Sequence, residues 1–300
     1  MKTSFHSHGK LLITAEYCVL SGAKALAVPC TLGQSLSFET TLEPDLVWNS
    51  FDHEGKLWYQ GQFMLNDFKE KTKPTEVGEQ LTKILRTIRQ LNPSFLSQGG
   101  GKVLTHLEFN RHWGLGSSST LIANLAQWAQ INPFELLENT FGGSGYDLSC
   151  ATAKGPIHYV RNPFSPLVTS VQFNPPFAEH LYFIYQNTKQ NSRIEIDRTK
   201  HIPFSELEEM NMLTEAITNC KDQLFFNKLL AEHESLMGQY LKRIPIQKSL
   251  FSDFNGQIKS LGAWGGDFML VSGDENTVNY FKTKGYSTLF PFNTMVLQPT

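Results

Sequence analysis

The sequence predicts an α+β protein in two domains, and three observations carry that expectation. Three hundred residues are more than one hydrophobic core usually organises. Strand-like and helix-like segments follow one another without the strict alternation of a doubly wound sheet. A proline-bearing stretch from Asn162-Pro163 to Pro175-Pro176 marks a break, set here between domains 1–170 and 171–300.

The elements read as follows. Residues 10–14 form a short apolar strand, and 16–20 continue towards the turn Ser21-Gly22. Residues 36–40, 46–49 and 57–60 alternate as strands, with Gly55 in the turn between the last two. Pro74-Thr75-Glu76 opens a helix whose Val77, Leu81, Ile84, Leu85 and Ile88 keep the 3.6-residue period. Gly99-Gly100-Gly101 then breaks the chain before a strand over 102–109. A glycine-bearing loop over 110–116, followed by Ser117-Ser118-Ser119, leads into an apolar helix over 121–129. Asn132-Pro133 reads as an N-cap and first-turn proline of a helix through Glu138, which Gly142-Gly143-Ser144-Gly145 ends. Beyond the break come a strand over 181–185, helices over 204–219 and 221–241, and a shorter helix. A strand over 268–271, a helix near 276–284 and a closing strand pair complete the chain.

Composition narrows the function classes. Charged residues make up 18% of the chain, the reverse of the bias that disorder needs. The formal charge is −2 with no long basic run, so no nucleic-acid or membrane partner is expected. Cys18, Cys30, Cys150 and Cys220 are scattered, without a C-x-x-C pair, which reads as reduced thiols in a cytoplasmic protein. The first residues lack an apolar signal core, and no stretch approaches the roughly 18 apolar residues of a membrane span.

Four segments carry chemistry. Gly114-Leu115-Gly116-Ser117-Ser118-Ser119 lies between a strand and an apolar helix, where free N–H groups and the helix dipole favour an anion such as phosphate. Serine hydroxyls there can cap the helix or ligate Mg²⁺; by local pattern alone, a plain serine cap fits equally well. Lys10 precedes an apolar run followed by Glu16 and Tyr17, where its charge can steady phosphate; an exposed strand-end lysine is the bland alternative. Gly142 to Asp147 offers an aspartate after a flexible turn, either a proton acceptor or a helix cap. Gly262-Ala263-Trp264-Gly265-Gly266-Asp267 permits close backbone approach, or simply a tight strand entry.

Other signatures fail. Neither the Walker loop nor G-x-G-x-x-G is matched, and no G-x-S-x-G elbow supports a hydrolase triad. His6 and His8 have no partners at metal-site spacing. Trp128, Phe225 and Phe226 sit in apolar helical stretches and read as core.

Together the four segments resemble the GHMP small-molecule kinase superfamily. Residues 9–22, GKLLITAEYCVLSG, resemble the family's first motif, G-K-x-x-L-x-G-E-[HY]-x-V-x-x-G, with Ala15 in place of a glycine. Residues 114–119 match the phosphate-loop motif G-L-G-S-S-[AS]. Residues 262–267 resemble the glycine-rich third motif, with Trp264 in place of a small residue. Ser144-Gly145-Tyr146-Asp147 is similar to the S-G-x-D segment of the mevalonate-kinase branch, and the surrounding run resembles a bacterial subgroup named for G-Y-D-I-A.

The resemblance implies an N-terminal domain like ribosomal protein S5 domain 2 and a ferredoxin-like C-terminal domain, with ATP in the cleft between them. It implies that Asp147 receives or orients the attacking hydroxyl, with Lys10 as its electrostatic partner. Ser117 and Ser118 would meet Mg²⁺ and the ATP phosphates, within a cradle of Gly114, Leu115, Gly116 and Ser119. Glu16, Tyr17, Ser144, Gly145, Gly265 and Gly266 would line the substrate, and Lys189, Ser192 and Arg193 would bind an anionic acceptor. Glu135 and Glu138 are the nearby candidates for a Mg²⁺ carboxylate. The implied activity is γ-phosphoryl transfer to a small alcohol or phosphorylated alcohol, mevalonate or phosphomevalonate first. A diphosphomevalonate decarboxylase, a pseudokinase that binds nucleotide without turnover, and an interaction protein on the same fold stay open, as does oligomeric state.

Overall fold

A computed structural model describes residues 2–41, 43–71, 75–188 and 204–299, with only the backbone at 204–206. The expected acceptor residues Lys189, Ser192 and Arg193 therefore lie outside the described residues. The chain divides into two compact units, Met1–Gly9 with Leu32–Arg111 and Gly116–Thr152, and Lys10–Thr31 with His112–Leu115 and Ala153–Thr300. This division runs through β1 (Lys2–Leu12) and β2 (Ala25–Thr40) rather than at the expected 170/171, because each of these long strands supplies residues to both units.

In the first unit, β3 (Leu46–Phe51), β4 (Leu57–Phe63) and β5 (Gly101–Leu107) join the second half of β2 in the order β4-β3-β5-β2. β3 runs antiparallel to β4, with Leu46 opposite Phe63, and parallel to β5, with Trp48 opposite Val103. Helix α1 (Glu76–Leu91) starts where the Thr75 hydroxyl accepts from the Gly78 N–H, with Glu76 and Glu79 favourable in the first turn. Its Leu81, Ile84, Leu85 and Ile88 share a core with Leu36, Trp48, Phe63 and Val103. Each such buried side chain contributes roughly 1.5–3 kcal/mol. Helices α2 (Ser117–Ala129), α3 (Pro133–Thr140) and α4 (Tyr146–Thr152) follow; α2 packs against both α3 and α4. Trp128 packs on Phe38 and Phe95, as its apolar helix position predicts.

In the second unit, the first part of β2 pairs with β6 (Ile157–Val160), which pairs with β7 (Leu167–Ser170). A separate antiparallel sheet sets β8 (Leu181–Tyr185) and β10 (Phe268–Ser272) between β9 (Gln257–Ser260) and β11 (Leu289–Pro291). β10 is buried throughout, which suits its unbroken apolar run. The unit also holds α5 (Phe204–Asn219), α6 (Gln223–Leu241), α7 (Ile246–Leu250), α8 (Thr277–Thr283) and α9 (Phe292–Met295); α6 packs against α5 and β9.

Several expectations are corrected. β1 begins at Lys2, eight residues before the expected strand, because it pairs with β2 despite its polar sequence. β2 starts at Ala25, not residue 36, and runs through Pro29 and Gly33. β7 lies within the stretch 162–176 read as a break, and β6 lies just before it. Helix α6 starts after Asp222, whose side chain accepts from the Phe225 N–H, rather than at Lys221. Phe226 is buried as expected, but Phe225, one helical position away, is 54% exposed. All four cysteines are buried and none is in a disulfide. Among the described residues, no helix is long and apolar enough to cross a membrane.

Candidate active site

In the second unit, the Lys10 ammonium donates to the Gly114 carbonyl at 3.0 Å, and the Lys10 N–H donates to the Leu115 carbonyl at 3.0 Å. The end of β1 thus anchors the start of the Gly114–Ser119 loop. Gly114 has φ +69°, and a Cβ there would run into the Asp267 carboxyl group. Glycine is required on both counts. Asp267 ends the 262–267 turn; its N–H donates to the Thr188 carbonyl at 2.7 Å and its own carbonyl accepts from the Gln186 N–H at 2.8 Å. The Gln186 amide also donates to the Gly266 carbonyl, so Gly266 is buried and held while Gly265 is exposed.

The first-motif turn is strained. Ala15 (φ +63°) and Tyr17 (φ +61°, ψ −42°) have positive φ without being glycine, at a cost of about 1–3 kcal/mol each. Between them, Glu16 is fully buried and accepts from the Lys259 ammonium, itself fully buried and also donating to the Ser260 carbonyl at 2.9 Å. The Ala15 N–H donates to His233 Nε2 at 3.0 Å. Burial, reinforced by the charge of Lys259, holds His233 well below the usual imidazole range. Because Nε2 accepts the Ala15 N–H, that nitrogen carries no proton and the ring proton belongs on Nδ1. Burial raises the Glu16 carboxyl, with Lys259 opposing. Burial also pushes Glu234, which accepts from the Ser260 N–H at 2.9 Å, up to about 8. The Tyr17 hydroxyl donates to the Ala263 carbonyl at 2.9 Å, and Arg243 donates to the Trp264 carbonyl. Of the two residues expected to line substrate, Glu16 is buried and engaged through Oε1 by Lys259, and the Tyr17 hydroxyl is engaged by Ala263.

In the first unit, Gly116 (φ +92°) is the N-cap of α2, and no side chain caps that helix. α1 and α3 differ, since Thr75 and Asn132 fill that role. The Ser119 hydroxyl turns back to the Gly116 carbonyl at 2.9 Å, and Thr120 Oγ1 donates to Gln34 Oε1 at 2.7 Å. Ser119 therefore shapes the loop, while Ser118 is exposed and Ser117 half-buried. Backbone N–H groups at an uncapped helix start favour anionic oxygen. Asp147 is half-buried in the first turn of α4, after Gly145 (φ +82°), and its carboxylate accepts from the Leu148 N–H at 3.0 Å. The carbonyl of Gly145 receives the Leu148 and Ser149 N–H groups, so Ser144 and Gly145 form the entry to α4. Glu135 and Glu138 are exposed on α3. Among the described residues no cluster of three His, Cys, Asp or Glu side chains could hold a metal. His6 faces Glu108 at 3.2 Å, and its ring lies edge-on to that of His8 with centroids 5.1 Å apart.

Sequence reasoning did not find Lys259, His233, Glu234 or Gln186, and no local pattern marks them. Asp267 stood within a quoted motif, but its packing against Gly114 had no sequence signal.

Solved structures resemble the chain over nearly its whole length. The mevalonate kinase of Methanococcus jannaschii superposes with a TM-score of 0.71 at 15% identity, covering 97% of each chain. The Streptococcus pneumoniae phosphomevalonate kinase, in complex with phosphomevalonate and AMPPNP, gives 0.70 at 14% identity over 96% of this chain and 99% of that one. The Lactococcus lactis galactokinase complexed with galactose gives 0.71 at 13% identity over 100% of this chain and 94% of that one. The chain has the GHMP kinase fold. No family model matches the sequence, and no curated protein matches it. The GHMP kinase fold here tolerates two departures from its motifs. Ala15 at φ +63° and Trp264 at φ +50° take left-handed backbone where the motifs carry a glycine and a small residue. The turns survive, and the substitutions appear as strain.

Proposed function

We propose that the chain is an ATP- and Mg²⁺-dependent small-molecule kinase that transfers the γ-phosphoryl group to a hydroxyl or phosphate oxygen of a small metabolite. One observation carries the reading: left-handed Gly114 and Gly116 deliver an uncapped helix start in a loop whose carbonyl is held by the Lys10 ammonium. Such a loop suits a polyphosphate, because backbone donors and a fixed cation meet spreading negative charge without reorganising. The Ser117 and Ser118 N–H groups and hydroxyls would take phosphate oxygens, and these hydroxyls would hold Mg²⁺, which when bound neutralises phosphate charge. Asp147 would accept the proton of the acceptor hydroxyl or hold that hydroxyl in line, and Lys10 would steady the charge that develops. Mevalonate and phosphomevalonate are the first acceptors to try, supported by the S-G-Y-D segment and by structural neighbours crystallised with related molecules. Cysteines outside any disulfide support a cytoplasmic setting.

A coupled ADP-release assay over mevalonate, phosphomevalonate, homoserine and galactose tests the proposal. Wild type is expected to turn over at least one acceptor. Asp147→Asn should lose about 10²–10⁴-fold in rate while still binding AMPPNP, and Lys10→Met should lose both rate and nucleotide affinity. Equal rates for wild type and Asp147→Asn remove Asp147 from the mechanism. Release of CO₂ from diphosphomevalonate makes the chain a decarboxylase, and AMPPNP binding without turnover makes it a pseudokinase.

A further inference from the structure

We infer that Glu16, held by Lys259 beside the Ala15 N–H that His233 receives, is a positioning residue that fixes the 15–17 turn and, through Tyr17, the 262–267 turn on which Gly114 of the proposed phosphate loop is seated. What the loop binds rests on the kinase reading; the mechanical linkage does not.

The linkage is contiguous within one unit. Lys259, on β9, is 243 residues from Glu16 in the chain, and both are fully buried. Glu16 sits between two non-glycine residues of positive φ, a conformation that persists only where the surroundings over-determine it. Those surroundings are specific: His233 takes the Ala15 N–H, the Glu16 carbonyl takes the Cys18 N–H at 2.6 Å, and the Tyr17 hydroxyl binds the Ala263 carbonyl. Arg243 holds the next carbonyl, that of Trp264. At the far end of the same turn, the Asp267 carboxyl occupies the space a Gly114 side chain would need, and the Gly114 carbonyl receives the Lys10 ammonium.

The ion pair is poorly suited to a purely stabilising role. Buried charge pairs are often matched or bettered in stability by apolar side chains of similar volume. Here Glu16 Oε2 has no hydrogen-bond donor, and its neighbour at 3.5 Å, His233 Nε2, is already an acceptor. What the pair supplies is direction: a charged anchor beneath a turn that would otherwise relax, displacing Ala263 and, beyond it, Gly114.

The test compares wild type, Tyr17→Phe and the double variant Glu16→Gln/Lys259→Met, all full length. Amide hydrogen exchange is read without ligand, and AMPPNP binding is measured with Mg²⁺. The double variant removes both charges and so avoids a lone buried ion, while Tyr17→Phe keeps the ion pair and cuts the linkage beyond it. Both are expected to speed exchange at 262–267 and 112–116, leave α1 unchanged, and weaken AMPPNP about tenfold. Unaltered exchange at those segments in folded Tyr17→Phe overturns the inference. If the exchange changes occur but wild type binds no AMPPNP, the kinase reading fails and the linkage stands.

Discussion

In the first unit, Leu36, Trp48, Ile84 and Val103 meet in an apolar core, whereas in the second Glu16, Lys259, His233 and Glu234 lie together out of solvent. The first arrangement is non-directional. It rewards any side chains of suitable volume, and its cost when disturbed scales with the space left behind. The second is directional and carries a desolvation penalty, so each group depends on its partner for its charge state. Apolar packing makes a unit stable; the charged cluster makes one turn adopt one conformation.

That contrast can be broken at several points. The largest effect is expected for Lys259→Met, which strands the Glu16 carboxylate and should cost about 3–5 kcal/mol in urea unfolding. The charge-free double variant should recover most of that loss; a double variant as unstable as the single would deny the pair its electrostatic character. Ile84→Ala should cost about 2–5 kcal/mol through its cavity, with the same loss at pH 6 and pH 9, since nothing titratable is removed.

Glu234→Gln sharpens the distinction through pH. The folded carboxyl titrates near 8, above its ordinary 4.5, so its contribution to stability is fully present below about 4.5 and is lost as pH rises through about 8. Gln mimics the protonated form and should remove that slope. Thermal melts are expected to show the variant gaining on wild type from pH 5 to pH 9, by several degrees at the alkaline end. Parallel melting curves across that range would mean that Glu234 is ionised in the fold at neutral pH. The smallest effect is expected for Thr75→Ala, which removes the α1 cap and should cost about 1 kcal/mol, again without pH dependence.

Much of the first unit was legible in the sequence. The period of Leu81, Ile84, Leu85 and Ile88 gives α1, Thr75 and Asn132 mark two helix starts, and the alternation over 46–49 and 57–60 gives β3 and β4. The candidate loop was legible too: two glycines followed by serines ahead of an apolar run describe a left-handed entry to a helix, and Gly114 and Gly116 adopt it. These features lie within a few residues of their causes, where local sterics and hydrogen bonding decide.

Sequence determined the helical faces, the caps and the glycine–serine loop, because each is a short-range preference of the backbone. Tertiary structure decided the rest. β2 runs through Pro29 and Gly33 with β1 and β6 as partners. The role of Glu16 depends on a lysine 243 residues away, and the need for glycine at 114 depends on a carboxyl at 267. No pattern announces such pairings, because the energy of a buried charge or of a missing Cβ is set by whichever group the fold brings alongside.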